Sequence, residues 1–281
     1  MQLVVAKSAG FCFGVKRAMD LAFEAAKKYR DPLYTLGPLI HNPQAVASLE
    51  RLGVRMKERI EEIPRGTVIF RSHGVSLGEL HKAKKKKLRI IDATCPIVKQ
   101  AQHFAKFLHC HGYTLLIVGD VQHPEVEAIR SYIGDRVEVV EDIGALQAIE
   151  PCEKLGVIAQ TTQSFRLFEK IVGAALGKAR EVRAFNTICH ATTIRQQEAV
   201  EIAKKVDCMV VAGGYNSGNT QRLVSICKEA QPSTYHIEEA RELKSRWFLG
   251  RRRIGLTAGA STPSWIIKEV EKELRQLKSL R

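Results

Sequence analysis

The sequence predicts an α/β protein built from three related subdomains with small, mainly parallel sheets, set about a pseudo-threefold axis. Three observations carry that prediction. Apolar runs of strand length alternate with helical patterns along the whole chain, which is how parallel α/β architecture reads in sequence. Proline stands at or near the start of several helical patterns, where its missing N–H costs nothing. A set of polar segments recurs three times at a period of about 90 residues, and recurrence at fixed spacing marks one repeated supersecondary unit.

The strand patterns are Leu3–Ala6, Val68–Phe70, Leu115–Val118, Val137–Val140, Gly156–Ala159, Met209–Ala212 and Ile254–Thr257. The helical patterns are Val15–Lys28, Pro43–Leu52, Pro96–His109, Ser164–Ala179, Ile194–Lys205, Thr220–Ala230 and Pro263–Lys278. A further amphipathic stretch begins at Leu77 and ends in Lys84–Lys85–Lys86–Lys87. Cations in a last turn complement the helix dipole, so this run reads as a solvated helix end.

Composition narrows the class. The chain has 281 residues, 45% hydrophobic and 26% charged, enough to bury a core without disulfides or metal. No run of about 18 apolar residues occurs, so no transmembrane helix is expected. Met1–Lys7 reads as a short strand without a basic n-region or long apolar h-region. No secretory signal is therefore expected, and a cytoplasmic location is. The seven cysteines are odd in number, which favours reduced thiols, metal ligation or core filling over disulfides. The net charge of +14 attracts acidic partners. With 6% aromatic residues and no basic–aromatic interleaving, nucleic acid is not expected among them.

The triplication has three segment types. The first is a polar loop with a cysteine that opens a helix: Gly10–Phe11–Cys12–Phe13–Gly14, Ala93–Thr94–Cys95–Pro96 and Thr187–Ile188–Cys189–His190, the cysteines lying 83 and 94 residues apart. The second is a glycine and a polar turn between a strand and a helix: Gly37 to Pro43, Gly119 to Glu125 and Gly213 to Asn219. The third is a short polar segment after the next strand: Arg71–Ser72–His73–Gly74, Gln160–Thr161–Thr162–Gln163 and Ala258–Gly259–Ala260–Ser261–Thr262–Pro263. Subdomains of residues 13–94, 95–188 and 189–281 follow, with segment 1–12 packing centrally. Parallel sheets bind ligands beyond the carboxyl ends of their strands, so nine loops are expected to converge on one centre.

The residue types suggest the chemistry. A helix N-terminus favours thiolate over thiol. Three thiolates and one open position describe a [4Fe–4S] cluster with one unligated iron, or a catalytic zinc. Cys110, Cys152, Cys208 and Cys227 have no counterparts in the other repeats and read as structural, as do His81, His103, His109, His111, His190 and His236. His41, His73, His123, Ser217, Asn219 and Ser261 are neutral donors before helices, the donor set that binds phosphate. Glu125, beside His123, is the natural proton donor, and Thr161 or Thr162 could pass a proton or orient a hydroxyl. No Walker A loop and no GxGxxG motif after a strand is present.

Gly10–Phe11–Cys12–Phe13–Gly14–Val15–Lys16–Arg17, Ala93–Thr94–Cys95–Pro96 and Thr187–Ile188–Cys189 closely resemble the 4-hydroxy-3-methylbut-2-enyl diphosphate reductase family, the last enzymes of the non-mevalonate isoprenoid pathway. His41–Asn42–Pro43, Arg71–Ser72–His73–Gly74–Val75, His123–Pro124–Glu125–Val126, Asn216–Ser217–Gly218–Asn219 and Thr257 to Pro263 match in the same order, from about residue 3 to about residue 270. The resemblance implies a trefoil around a [4Fe–4S] cluster held by Cys12, Cys95 and Cys189. It implies reductive removal of an allylic hydroxyl to give isopentenyl and dimethylallyl diphosphates plus water. His41, His73, His123, Ser217, Gly218, Asn219 and Ser261 would hold the diphosphate. Glu125 would deliver protons, with Thr161 near the hydroxyl, and ferredoxin or flavodoxin, typically acidic, would supply electrons. Many members have Ser–Ser–Asn where this chain has Ser217–Gly218–Asn219. Gly218 offers only its N–H, and a nest of backbone donors could replace the missing hydroxyl. Two other readings compete: a zinc-dependent phosphate-ester hydrolase and a redox-sensing RNA-binding module.

Overall fold

The computed structural model describes residues 2–134 and 136–276. The chain opens with β1 (Gln2–Val5) and α1 (Phe13–Lys28), then β2 (Leu33–Leu36), α2 (Pro43–Glu50), β3 (Val54–Lys57), β4 (Thr67–Phe70), α3 (Leu77–Lys85) and β5 (Arg89–Asp92). Next come α4 (Pro96–Cys110), β6 (Thr114–Val118), α5 (Pro124–Ser131), β7 (Val137–Val140), β8 (Cys152–Ala159), α6 (Phe165–Ala175) and β9 (Ala179–Ala184). The last third holds α7 (His190–Ala203), β10 (Cys208–Ala212), α8 (Gly218–Ala230), β11 (Thr234–Ile237), β12 (Arg253–Ala258) and α9 (Ser264–Gln276).

The strands form three four-stranded sheets, ordered β3-β2-β4-β5, β7-β6-β8-β9 and β11-β10-β12-β1. Every strand pairing among the described residues is parallel. The order is the same each time, and the fourth strand always runs toward the next cysteine: β5 toward Cys95, β9 toward Cys189, β1 toward Cys12. Among the described residues the last repeat has no fourth strand of its own, and β1 pairs with β12 and completes the sheet. The chain divides into two compact units. One comprises Met1–Lys16, His41–Ala47 and His190–Arg281 and carries the sheet that β1 completes. The other comprises Arg17–Ile40 and Ser48–Cys189 and carries the other two sheets.

Alternation along β6 shows why its sequence is an unbroken apolar run. Leu116 and Val118 pack with Phe168, Ile171 and Ala175 of α6. Leu115 and Ile117 face the other way, onto Ala101, Ala105 and Leu108 of α4 and Val126 and Ile129 of α5. A strand covered on both faces needs apolar residues at every position. The sheet completed by β1 repeats the arrangement, with Val210, Leu256 and Ala258 against Ile266, Val270 and Leu274 of α9. Met209 and Val211 meet Ala199 and Ala203 of α7 and Leu223 of α8.

Element boundaries moved in physically legible ways. The Ser164–Ala179 pattern stops at Ala175, because Gly177 and Lys178 turn back onto the carbonyls of Ala174 and Ala175 and Ala179 opens β9. The Ile194–Lys205 pattern begins at His190, directly after Cys189. Residues 277 and 278 of the last helical pattern lie outside the described residues. The lysine run ends α3 as expected: Lys86 caps the helix, Lys87 takes φ 54°, and Lys86 Nζ donates to the carbonyls of Ile60 and Glu61 at 3.1 and 2.9 Å. Among the described residues no helix is long and apolar enough to cross a membrane.

Candidate functional site

Each repeat cysteine is the last residue before a helix: Cys12 before α1, Cys95 before α4, Cys189 before α7. Each donates its backbone N–H to a carbonyl two residues beyond the end of the third strand of its sheet. Cys95 donates to Ser72 at 2.9 Å, Cys189 to Thr161 at 2.8 Å and Cys12 to Ala260 at 3.2 Å. One bond made three times aligns Ser72, Thr161 and Ala260 and ties the first segment type to the third. The glycines of the second type are equivalent too: Gly37, Gly119 and Gly213 donate to the carbonyls of Lys57, Val140 and Ile237, which end the neighbouring edge strands.

None of the three cysteines is in a disulfide, and each is half-buried at a helix N-terminus. The other cysteines sit differently. Cys208 in β10 and Cys227 in α8 are buried, and loss of solvent pushes their thiols up to about 11 and about 12. They stay protonated and fill core, as the sequence suggests. Cys110 is exposed at the end of α4 and Cys152 begins β8.

The chain ahead of each cysteine is braced. Asp92 Oδ1 accepts from the Thr94 N–H at 3.0 Å, and Asn186 Oδ1 accepts from the Ile188 N–H at 3.1 Å. Both are turns made by the residue three before the cysteine. Thr187 adds a second brace, accepting from the Ala159 N–H at 2.9 Å. Ala9 holds the equivalent place before Cys12 and has no such oxygen. There the brace comes from α7. Arg195 donates to the carbonyls of Ser8 and Gly10 at 3.0 and 2.7 Å. Glu198 accepts from the N–H groups of Lys7 and Ser8, each at 2.8 Å, and from the Ser8 hydroxyl at 2.5 Å. Burial works against the Glu198 charge, but the Ser8 hydroxyl and these amides hold its carboxyl below the usual range. Sequence reading missed both residues. The available signal was an acid three positions after a base on one helix face, but an ordinary surface pair reads the same way.

On the second unit, Glu125 lies in the first turn of α5, only 1% exposed. Its Oε1 accepts from the Thr161 N–H at 2.7 Å and its Oε2 from the Thr161 hydroxyl at 2.8 Å. Thr161 is the residue whose carbonyl holds Cys189, so the candidate acid and a candidate ligand loop share one anchor. His123 caps α5, its Nδ1 accepting from the Glu125 N–H at 3.2 Å. A neutral ring that accepts at Nδ1 carries its proton on Nε2, which is then a donor. His73 meets His123 edge to face, ring centroids 5.5 Å apart. The second unit thus brings together His73, His123, Glu125 and Thr161 and also holds Cys95 and Cys189.

On the first unit, Ser261 Oγ donates to the His41 carbonyl at 3.1 Å. Ser217 caps α8, its oxygen accepting from the Thr220 N–H at 3.3 Å. With that lone pair engaged, its proton is available to a ligand. Gly218 opens the helix, leaving a backbone N–H at the dipole's positive end. Asn219 follows, and its Nδ2 is a buried donor without a partner among the described residues. A buried amide with nothing to donate to is the mark of an acceptor ligand. Cys12, His41, Ser217, Gly218, Asn219 and Ser261 all lie on this unit.

The LytB protein family model matches residues 3–275. A 4-hydroxy-3-methylbut-2-enyl diphosphate reductase of Geotalea uraniireducens (strain Rf4) is 52% identical over 277 residues, covering 99% of this chain and 98% of the relative. One from Geobacter sulfurreducens is 52% identical over 276 residues, 98% of each chain. Among solved structures, the E-1-hydroxy-2-methyl-but-2-enyl-4-diphosphate reductase of Plasmodium falciparum superposes with a TM-score of 0.92 at 28% identity, covering 98% of this chain and 87% of its own. A (E)-4-hydroxy-3-methyl-but-2-enyl diphosphate reductase, described as the terminal enzyme of the non-mevalonate pathway, is 44% identical with a TM-score of 0.71, covering 98% and 100%.

Proposed function

The chain belongs to the LytB family, and from that membership we propose that it reduces 4-hydroxy-3-methylbut-2-enyl diphosphate to isopentenyl and dimethylallyl diphosphates. Two electrons and two protons enter, the allylic C–O bond breaks, and the oxygen leaves as water. Cys12, Cys95 and Cys189 are the proposed ligands of a [4Fe–4S] cluster. The observation that carries this assignment is the N–H bond that each of the three thiol residues makes to an equivalent carbonyl, a frame none of the other four cysteines shares. Three half-buried thiols at helix N-termini suit a cluster with one iron that no thiolate covers. Bound there, the cluster supplies electrons singly and a Lewis-acidic iron.

The chain's residues do the rest. His41, His73, His123, Ser217, Gly218, Asn219 and Ser261 bind the diphosphate, through imidazole, hydroxyl, amide and backbone donors aided by helix dipoles. Neutral donors hold the diphosphate without placing fixed cations beside the redox centre. Glu125 is the acid that makes the departing oxygen a good leaving group. It is too buried to meet solvent, so its proton passes through the Thr161 hydroxyl. With Glu125 protonated, Oε2 donates to Thr161 Oγ1 while that hydroxyl gives its own proton outward. The reverse hydrogen bond, Thr161 to Oε2, is the arrangement left once Glu125 is a carboxylate. The electron donor is an acidic one-electron carrier of the ferredoxin or flavodoxin class, attracted by the net charge of +14. The setting is cytoplasmic.

Anaerobically purified protein should hold four irons and four sulfides and turn over the allylic diphosphate with a low-potential reductant. Zinc in place of iron, or full iron retention in Cys95→Ser with unchanged spectra, would overturn the assignment.

A further inference from the structure

We propose that Arg195, assisted by Glu198, is a positioning residue for Cys12: it sets the loop that presents this thiolate and so fixes one corner of the cluster. This rests on the cluster reading above. Four observations on one unit carry it. First, the Cys12 loop has no side-chain brace of its own, because Ala9 stands where Asp92 and Asn186 stand before the other two cysteines, and its local turn is a single long backbone bond from the Ala9 N–H to the Ala6 carbonyl at 3.3 Å. Second, Arg195 is 4% exposed and bonds to backbone carbonyls of the loop, through Nε to Ser8 and NH2 to Gly10. A guanidinium offers two donors in a rigid fork, so it fixes the spacing and direction of both peptides at once. Third, Glu198 takes the amide side of the same stretch through Lys7 and Ser8, so α7 grips the Ser8 residue by its N–H, hydroxyl and carbonyl. Fourth, Gly10 takes φ +101°, a conformation other residues resist, and a Cβ there would come within 3.0 Å of the Ile267 side chain. The chain bends at Gly10 and reaches Cys12 two residues on, where the N–H bond to Ala260 closes the loop.

The braces therefore run in a cycle, since each cysteine-opened helix supports the approach to the next cysteine. Arg17 of α1 donates to the Thr94 carbonyl at 3.3 Å, and Phe104 of α4 stacks on Phe185 with centroids 4.3 Å apart. Arg195 of α7 is the third member and acts where no side-chain turn shares the task.

The test uses the whole chain reconstituted anaerobically. Residues that orient metal ligands typically contribute about 10- to 100-fold in metal affinity. Arg195→Gln should release iron to a chelator about 10-fold faster than wild type, and the electron paramagnetic resonance signal of the reduced cluster should change shape. Arg195→Lys should restore little, because a single ammonium cannot span both carbonyls. Glu198→Gln, a milder change, should speed release by a smaller factor and move the signal in the same direction. A folded Arg195→Gln protein with wild-type release and an unchanged signal would overturn the proposal. If Arg195→Gln does not fold, unchanged release and signal in Glu198→Gln would overturn it equally. Failure of the cluster reading looks different, because wild-type protein would then hold no four-iron cluster at all.

Discussion

The approaches to Cys95 and Cys12 meet one requirement with different materials. Before Cys95, Asp92 bonds to an amide two residues away, so the turn carries its own support. Before Cys12 the side-chain support comes from residues 185 to 191 positions distant in sequence, on α7. A local turn forms cheaply because it closes few residues, whereas a distant clamp must first recover loop-closure entropy. The difference teaches that equivalent positions in a repeat need not be equally robust. Of the three proposed ligands, Cys12 depends most on the rest of the fold. The same contrast separates the two units' other chemistry. On the second unit Glu125 and Thr161 form a buried, mutually bonded pair, whereas the first unit presents single donors such as Asn219 Nδ2 with an open valence.

The sharpest way to separate the two units is to remove the proposed acid. Glu125→Gln keeps the shape and can still accept from Thr161, but it has no proton to give. Turnover should fall by about 10²–10⁴-fold, the usual contribution of a positioned general acid, with iron content and substrate affinity nearly unchanged. Near-normal turnover would move the acid role elsewhere. Thr161→Val should fall less, because the Thr161 N–H still bonds to Oε1 and water can replace the hydroxyl.

Removing a donor from the first unit should show the opposite split. Asn219→Ala deletes a donor that no protein group uses, so the fold loses little. A hydrogen bond to a charged group contributes about 1.5–3 kcal/mol, so kcat/KM should drop by roughly 10- to 150-fold. With Asn219 holding the diphosphate as proposed, the drop should appear mostly in KM, since that group would be bound equally in ground and transition states. A fall confined to kcat would instead place Asn219 with the acid.

Much of this was readable in the sequence, and the reason is local. The three cysteine loops, the polar turns and the buried strands β6, β8, β10 and β12 show as motifs or apolar runs because each is surrounded by core. Among the edge strands, β3 as Val54–Arg55–Met56–Lys57 and β9 as Ala179 to Ala184 with three charged residues hid, while the edges β1 and β7 did read. The central, buried β2, Leu33–Tyr34–Thr35–Leu36, was missed as well because Tyr34 and Thr35 break its apolar run. β3 and β9 form because a parallel neighbour supplies their hydrogen bonds. The Glu125–Thr161 pair was legible only as two separate candidates, 36 positions apart. Arg195 and Glu198 were not legible at all. An arginine in a helix reads as solvated, and nothing in the order of residues shows that β1 returns to the last sheet and carries Ser8 and Gly10 with it.

The smallest expected effect tests the distant clamp through pH. The Glu198 carboxyl is held below its ordinary value of 4.5. A carboxyl whose folded value is depressed stabilises the fold fully above its unfolded value and loses that contribution as pH falls through the folded one. The wild-type advantage over Glu198→Gln should therefore be largest near neutrality and shrink below about pH 4.5. Charged hydrogen bonds at a half-exposed site are screened, so the advantage should be about 1 kcal/mol or less, or about 2–4 °C in Tm for a chain of this class. Thermal unfolding of the apoprotein at pH 7 and pH 4 measures it. Asp92→Ala provides the contrast, because its turn closes over two residues and its ion pair with Lys99, at 2.6 Å, is exposed and screened, so its loss should lower the Tm less than Glu198→Gln does at pH 7. If Asp92→Ala lowered Tm more than Glu198→Gln at pH 7, the local turn would be the stronger brace and the comparison would be reversed.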